Sequence, residues 1–510
     1  MRFVSVFLSR LSTDRLLRQS AAPGRDAPFA LWRKVKGGER LVAVNAAAER
    51  RGLKRGLAVA DARALCPVLR LEEQDLIAEA ATLGSIADWH RRFTPLAAAD
   101  PPDGVLLDVT GAAPLFGGEA KLLEEIEGRL AAQGFAARAA LAPGPALARA
   151  LARFSAVRLV PPDAGQEQIE ALAAKLPVAA LALDEPQAGR LARAGLRLIG
   201  DLLSRPRAPL AARLGPEAMA RLDALACRRR EPIAPRFEAP DYIVERRFPD
   251  GLTRTADIEA TLARLAADLK ALLERQNVGA RRLEAEFFRV DGVARRIVVE
   301  TSRPLRDPAR IFALLRERLE RLGEEGLDTG YGFDVLRLCA ARVERLEAGQ
   351  GDFMGESPGA GDDDLADLID RLGARLGPAR VQRLYPCARR WPERAVVVRP
   401  ASYPRPEEAA GEKFPPFARP PRLLERAEPI EAEALLPQGP PRRFRWRRLW
   451  RETAAYEGPE RIAPPWWGNL QDASERDYFI VVDREGARLW LYRENRSDAE
   501  DPRWFVQGLF

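Results

Sequence analysis

Residues Pro101–Glu119 read PPDGVLLDVTGAAPLFGGE. Val105, Leu106, Leu107 and Val109 form a short apolar run, flanked by Asp103 and Asp108 and stopped by Thr110 and Gly111, which predicts a buried strand. Carboxylates at the start of a central strand are where a nucleotidyl-transfer enzyme holds magnesium, because hard cations need clustered oxygen ligands beside substrate phosphates. Here Asp103 is followed by Gly104, so this strand start brings one carboxylate where a two-metal site needs several.

On the N-terminal side, Arg2 to Leu8 is a second apolar run, expected as a strand of the same sheet. FVSVFL is too short for a signal h-region and is followed by Arg10, Asp14 and Arg15 without a small-residue cleavage site, so it reads as core. No apolar run approaches the roughly 20 residues of a membrane span. Leu41 to Pro67 predicts a strand, a helix start, a turn bounded by Gly52 and Gly56, and a helix ending before Pro67. Gln74 to Phe93 is helical in pattern and carries His90, the sole histidine, for which a structural role is expected. One unsupported histidine excludes a Ser-His or Cys-His nucleophilic system. Beyond the opening segment, Ala120–Gly134 is an amphipathic helix. Ala136–Ser155 is a strand, a Pro-Gly-Pro turn and a helix whose Arg149 and Arg153 read as a solvated face, with phosphate binding as the other reading.

With 510 residues, 46% of them hydrophobic, the chain has material for several cores. A formal charge of +7 favours an anionic partner, nucleic acid among them, although part of the Arg-rich basicity has the look of a GC-rich genome. Cys66, Cys227, Cys339 and Cys387 are scattered with no CxxC pair, so neither a structural zinc nor a disulfide framework is expected. A reducing, cytoplasmic location fits that usage, and no metal or cofactor is expected.

From Pro177 to Pro235 two short helices flank Gly195, with Leu191, Leu198, Ile199 and Leu202 apolar, and the basic cluster Arg228, Arg229 and Arg230 closes the region. Asp241 to Glu344 reads strand, helix, strand, strand, helix, strand. One sheet face is expected on the two helices; the other, exposed, carries Arg281, Arg282, Arg295, Arg296 and Arg303, either as a phosphate-tracking surface or as solvated charge. Past Leu346 the chain turns Gly-rich and acidic, a linker by composition, with Phe353 and Met354 isolated inside QGDFM. Then come a helix, a Pro-rich stretch, the segment RRFRWRRLW and a hairpin turning at Asp483 to Gly486. In RRFRWRRLW, alternation predicts a strand with one buried face, and interleaved aromatics and arginines also suit base stacking. WFVQGLF ends the chain as a terminal strand or as a partner-docking tail through Trp504, Phe505, Leu509 and Phe510.

The opening segment resembles the motif S-I-D-E-A-Y-L-D-V-T-G of Y-family translesion DNA polymerases, and Leu41–Pro67 resembles their finger segment in spacing. The family's first metal-binding aspartates then fall on Ser5 and Phe7, and its Asp-Glu pair on Asp103 and Gly104. The steric-gate aromatic falls near Arg10, and the triphosphate-contacting Tyr and Arg fall on Ala46 and Glu49. LLDVTGAAPLFGGE, RRGLKRGLAVADARALCP, QRLYPCARRWPERA, GPERIAPPWW, RDYFIVVDREGARLWLYR and WFVQGLF together resemble the ImuB-like family of bacterial mutagenesis cassettes, whose usual terminal His is Gln507 here.

The resemblance implies an α+β multidomain fold. Palm and fingers would span 1–170 (fingers about 21–75), a helix-hairpin-helix thumb 171–236, a little finger 237–346, a linker with a clamp-binding motif 347–364, and a C-terminal β-containing partner region 365–510. It also implies a non-catalytic adaptor on primed or damaged DNA, binding the sliding clamp (the β subunit of DNA polymerase III), an error-prone C-family polymerase and an ImuA/RecA-like protein. QGDFM resembles the clamp-binding pentapeptide, with Gln350 and Asp352 on its polar side and Phe353 and Met354 entering an apolar pocket. The competing reading is an active polymerase with displaced ligands from Asp14, Asp100 or Glu49. A third is a single-strand-binding repair factor independent of the clamp.

Overall fold

Along Phe3–Leu8, Val4, Val6 and Leu8 alternate with Phe3, Ser5 and Phe7, so this strand needs cover on both faces. The computed structural model, which describes residues 1–19, 26–35, 37–237, 239–321, 327–346, 360–387, 391–406, 419–435, 439–464, 475–495 and 503–510, supplies that cover. The strand lies inside an antiparallel sheet ordered Ala97–Asp100, Gly104–Asp108, Phe3–Leu8, Ala137–Ala142. Val4, Val6, Val105 and Leu107 pack against the helices Leu76–His90 and Glu119–Ala132 through Leu83, Trp89, Leu122 and Ile126. On the opposite face, Phe3, Ala140 and Ala142 meet the helix Pro145–Phe154 and the helices that follow it.

The finger layer has its own small core. Its sheet is ordered Gly38–Val44, Phe29–Val35, Arg70–Glu73. Asn45 ties the first two strands to the next helix: its Oδ1 accepts from the amides of Phe29 and Ala48, and its Nδ2 donates to the Ala27 carbonyl. The thumb comprises Gln166–Ala174, Glu185–Arg193, Ile199–Leu203 and Arg207–Leu225, the last kinked at Gly215 (φ +82°) ahead of Pro216. Leu191, Ile199 and Leu202 are buried as the pattern predicts, whereas Leu198 is exposed.

The little finger follows the expected order, with sheet order Ala294–Leu305, Val278–Arg289, Phe333–Arg345, Tyr242–Leu252 and two helices, Thr255–Arg275 and Pro308–Arg321, over one face. The other face departs from expectation. Glu284, Glu286, Arg337 and Phe288 on that face are buried rather than solvated, and Phe288 and Val335 join the palm core. The acidic segment read as the end of the linker is also ordered: residues 360–376 form a helix whose Asp370 accepts from the Ser302 amide at 2.6 Å. Ala374 enters the little-finger core, so this helix belongs to the first of two compact units, Met1–Arg375.

The second unit, Leu376–Phe510, holds a two-stranded ribbon (Gln382–Pro386 with Val396–Pro400) and a closed barrel. The barrel's six strands are Arg422–Leu435, Pro441–Trp446, Leu449–Ile462, Glu475–Asp483, Arg488–Asn495 and Arg503–Leu509. Each is antiparallel to the next, and the last pairs back onto the first, which leaves the sheet no open edge. Phe444 and Trp446 point inside while Arg443 and Arg445 do not, so RRFRW is a wall strand with one buried face.

Candidate functional site

Asp100 ends the edge strand of the palm sheet and Asp103 sits in the short turn before Gly104–Asp108, so the hairpin brings two carboxylates to one rim. Arg149 and Arg153, one turn apart on the helix Pro145–Phe154, reach the same rim. Arg149 Nε donates to Asp100 Oδ2 at 2.8 Å. Arg153 Nη2 donates to Asp103 Oδ1 at 2.7 Å and stands 3.6 Å from Asp100 Oδ2. Its guanidinium also lies 4.9 Å from the Phe7 ring centroid. Two fixed cations therefore neutralise both acids, and the helix read as a solvated face is an ion-paired one.

The remaining motif positions bring no carboxylate. The Phe7 side chain has no ligand atom, and Ser5 offers a hydroxyl that is fully buried with an Oγ that finds no hydrogen-bond partner. A Cβ placed on Gly104 would stand 3.0 Å from both Arg153 Nη2 and Asp100 Oδ2, so a longer acid at 104 has to displace the guanidinium. Asp108 is spent locally, accepting from the amide and hydroxyl of Thr110 at 3.0 and 2.6 Å. Among the described residues no group of three or more His, Cys, Asp or Glu side chains is placed to hold a metal ion. In the fingers, Arg10 Nη2 and Glu49 Oε2 are 2.6 Å apart, pairing two positions at which the motif departs.

The thumb turn at Gly195 (φ +72°) is built as the sequence suggests, but the amides of Arg197 and Leu198 both donate to Asp201 Oδ2 at 2.9 Å. Those two backbone hydrogen bonds hold the Asp201 carboxyl below its ordinary range. The basic cluster divides. Arg228 grips Glu170 at 2.8 and 2.9 Å, and with Gln166 it pulls that carboxyl down to about 2. Arg229 and Arg230 are exposed.

On the little finger, the expected exposed arginine surface is corrected in three places. Arg281 is buried and bonds Glu344 at 3.1 Å. Arg282 bonds Glu284 at 3.0 Å, and Arg296 bonds Glu284 at 2.8 Å while stacking over Phe237. Arg295 and Arg303 are the exposed members of that set, Arg303 pairing with Asp363. Arg281, Arg282 and Arg296 are thus held by neighbouring carboxylates before any phosphate arrives.

One feature had no sequence signal. Arg91 and Arg92, at the end of the helix Leu76–His90, insert under the little-finger sheet. Arg92 bonds both oxygens of Asp334 at 3.0 and 2.6 Å, Arg91 pairs with Glu286, and Arg337 bridges Glu286, Glu245 and the Arg91 carbonyl. Trp89 Nε1 donates to the Arg289 carbonyl at 2.9 Å. His90 is enclosed, and burial lowers its pKa to about 4 against the raising effect of its bond to the Ile86 carbonyl.

The C-terminal segment is barrel wall. Trp504 is buried, Phe505 stacks on Tyr492 with centroids 5.0 Å apart, Leu509 packs on the interior, and Phe510 lies under Arg488. Gln507 is buried and accepts from the Tyr478 hydroxyl at 2.8 Å. The segment is thus a terminal strand paired on both sides, with Phe505, Leu509 and Phe510 partly exposed. Gln350, Asp352, Phe353 and Met354 lie outside the described residues.

Comparison with known proteins places these features. Residues 17–153 match the model of the impB/mucB/samB family, and residues 240–353 match that family's C-terminal domain. Protein ImuB of Caulobacter vibrioides is 39% identical over 473 residues, covering 90% of this chain and 100% of that protein. DNA polymerase IV of Halorhodospira halophila is 27% identical over 274 residues, covering 52% of this chain and 72% of that protein. Among solved structures, DinB from Sulfolobus solfataricus aligns with a TM-score of 0.38 at 15% identity, covering 68% of this chain and 100% of that chain.

Proposed function

The chain belongs to the ImuB family, with a Y-family polymerase-like architecture, and from that premise we propose that it is a non-catalytic adaptor in error-prone translesion synthesis. The observation that carries this reading is the occupied palm rim, where Arg149 and Arg153 stand against Asp100 and Asp103. A two-metal site works by clamping the attacking and leaving oxygens between two divalent ions held by shared carboxylates. A guanidinium neutralises those carboxylates but presents no coordination site, and it cannot be deprotonated to make room. The fold would then serve as a platform that engages primed or damaged DNA and admits another polymerase to it.

DNA is expected on the thumb and little finger, with Arg228, Arg229, Arg230 and Arg295 as exposed cations, Arg228 of them paired with Glu170, and Arg281, Arg282 and Arg296 holding the surface in shape. Gln350, Asp352, Phe353 and Met354 would dock the sliding clamp. Recruitment of the C-family polymerase and the ImuA/RecA-like protein falls to the second unit, with the terminal segment carrying Trp504, Phe505, Leu509 and Phe510 as the expected contact.

Primer extension by the purified chain on a primed template, with magnesium or manganese, tests the reading. No extension with retained DNA binding supports it, and loss of clamp binding in Phe353→Ala/Met354→Ala supports the adaptor role. Extension abolished by Asp103→Ala would establish the second reading, an active polymerase. One observation favours that alternative: Asp100 and Asp103 are close enough to share Arg153.

A further inference from the structure

The palm and little finger also meet around a polar pocket of about 420 Å³. It lies between the helices Leu11–Gln19 and Leu76–His90 and the turn that joins Val278–Arg289 to Ala294–Leu305. Arg15, Arg18 and Arg295 line it. Arg15 is only 8% exposed, its Nε has no hydrogen-bond partner, and among the described residues no carboxylate pairs with it. A guanidinium taken out of water without a counter-charge is costly, and one lining an open polar pocket marks a place for an anion.

The pocket's own acids do not supply that anion. Asp88 and Asp291 are in its wall, but both oxygens of Asp88 are held by Arg236 at 2.6 and 3.3 Å. Both oxygens of Asp291 are held by Arg289 at 2.6 and 2.8 Å. Arg18 is set in place by the Phe135 ring, 4.5 Å from its guanidinium, and by its bond to the Asp291 carbonyl. The turn that leads into the strand of Arg295 is drawn in at Gly292 (φ +94°), where a Cβ would stand 2.3 Å from Gln133 Oε1. Arg18 is thus positioned by fold contacts, and the buried charge of Arg15 is balanced by neither wall acid.

We infer that this pocket is a phosphate-binding site, separate from the palm acids, with Arg15 as its buried anchor and Arg295 as its exposed arm. Forked guanidinium donors match the oxygens of a phosphate or pyrophosphate group. The group comes either from a nucleic-acid backbone or from a free phosphorylated ligand, and the inference does not rest on the adaptor reading.

The test is thermal unfolding of the full chain in sodium pyrophosphate against sodium chloride of equal ionic strength. A saturable, pyrophosphate-specific rise in Tm is expected. Its apparent affinity should fall at least about tenfold in Arg295→Gln and in Arg15→Gln. Because Arg295 is exposed, its variant keeps the test decisive if Arg15→Gln does not fold. Displacement of a bound oligonucleotide by pyrophosphate from the wild type but not from Arg295→Gln assigns the site to backbone phosphate. Saturation without displacement assigns it to a free phosphorylated ligand. Absence of a pyrophosphate-specific shift, or a shift that Arg295→Gln leaves unchanged, overturns the proposal.

Discussion

Replacing Arg92 by Met removes the most enclosed cation of the palm and little-finger junction while keeping the apolar stem. Arg92 is 1% exposed and Asp334 4%, and the substitution strips the donor from Asp334 Oδ1 while Arg129 Nη1 still bonds Oδ2 at 2.8 Å. Breaking a buried pair costs about 3–5 kcal/mol, and the surviving Arg129 bond places this case near the lower end, about 3 kcal/mol. A global unfolding midpoint does not locate a loss at one junction in a chain of two compact units. Hydrogen exchange read by mass spectrometry isolates the junction instead. Amides flanking Trp89 and those at the end of Val278–Arg289 should lose about a hundredfold in protection, the equivalent of about 3 kcal/mol at 1.36 kcal/mol per decade. Barrel strands such as Glu475–Asp483 should be unchanged, as they belong to the other unit. A junction whose exchange changes less than about threefold, or barrel strands that change equally, would refute the view that these ion pairs hold the little finger on the palm.

Three further outcomes are expected. His90, buried with its pKa lowered to about 4, stays neutral in the fold while the unfolded chain takes up a proton near 6.5, so its contribution is intact above about pH 6.5 and lost as pH falls toward 4. Wild type should lose about 2–3 kcal/mol between pH 6.5 and 4.5 relative to His90→Leu, and parallel pH profiles would contradict this. Arg149→Met/Arg153→Met leaves Asp100 and Asp103 without their cations, so it should melt earlier than wild type at neutral pH and recover part of the loss in millimolar manganese; wild type should show no such manganese response. Gln507→Ala leaves the buried Tyr478 hydroxyl with Arg476 alone, at a cost of about 1–2 kcal/mol to the barrel, measurable by urea titration of its tryptophan fluorescence.

The sequence by itself determined many of the elements, though not the helix at 360–376 or the strand Arg422–Leu435. The apolar runs FVSVFL and VLLDV mark two palm strands, the period-2 pattern of RRFRW marks a strand with one buried face, and the glycine turn at Gly195 and the Asp483–Gly486 hairpin are local rules of backbone geometry. It also determined that Ser5, Phe7 and Gly104 bring no carboxylate to the palm. The tertiary structure decided which charges face one another. Asp103 and Arg153 are 50 positions apart, and Arg92 and Asp334 are 242 apart, so no local periodicity encodes either pair. For the same reason, Arg296 looked free in the sequence and is held by a cross-strand glutamate, Glu284, in the fold. Barrel closure was equally hidden: WFVQGLF reads as a strand, but whether a strand is an edge or a wall depends on what pairs with its second side. Local pattern follows from the chain's own stereochemistry, whereas charge pairing and sheet closure are set by which distant segments the folded chain brings together.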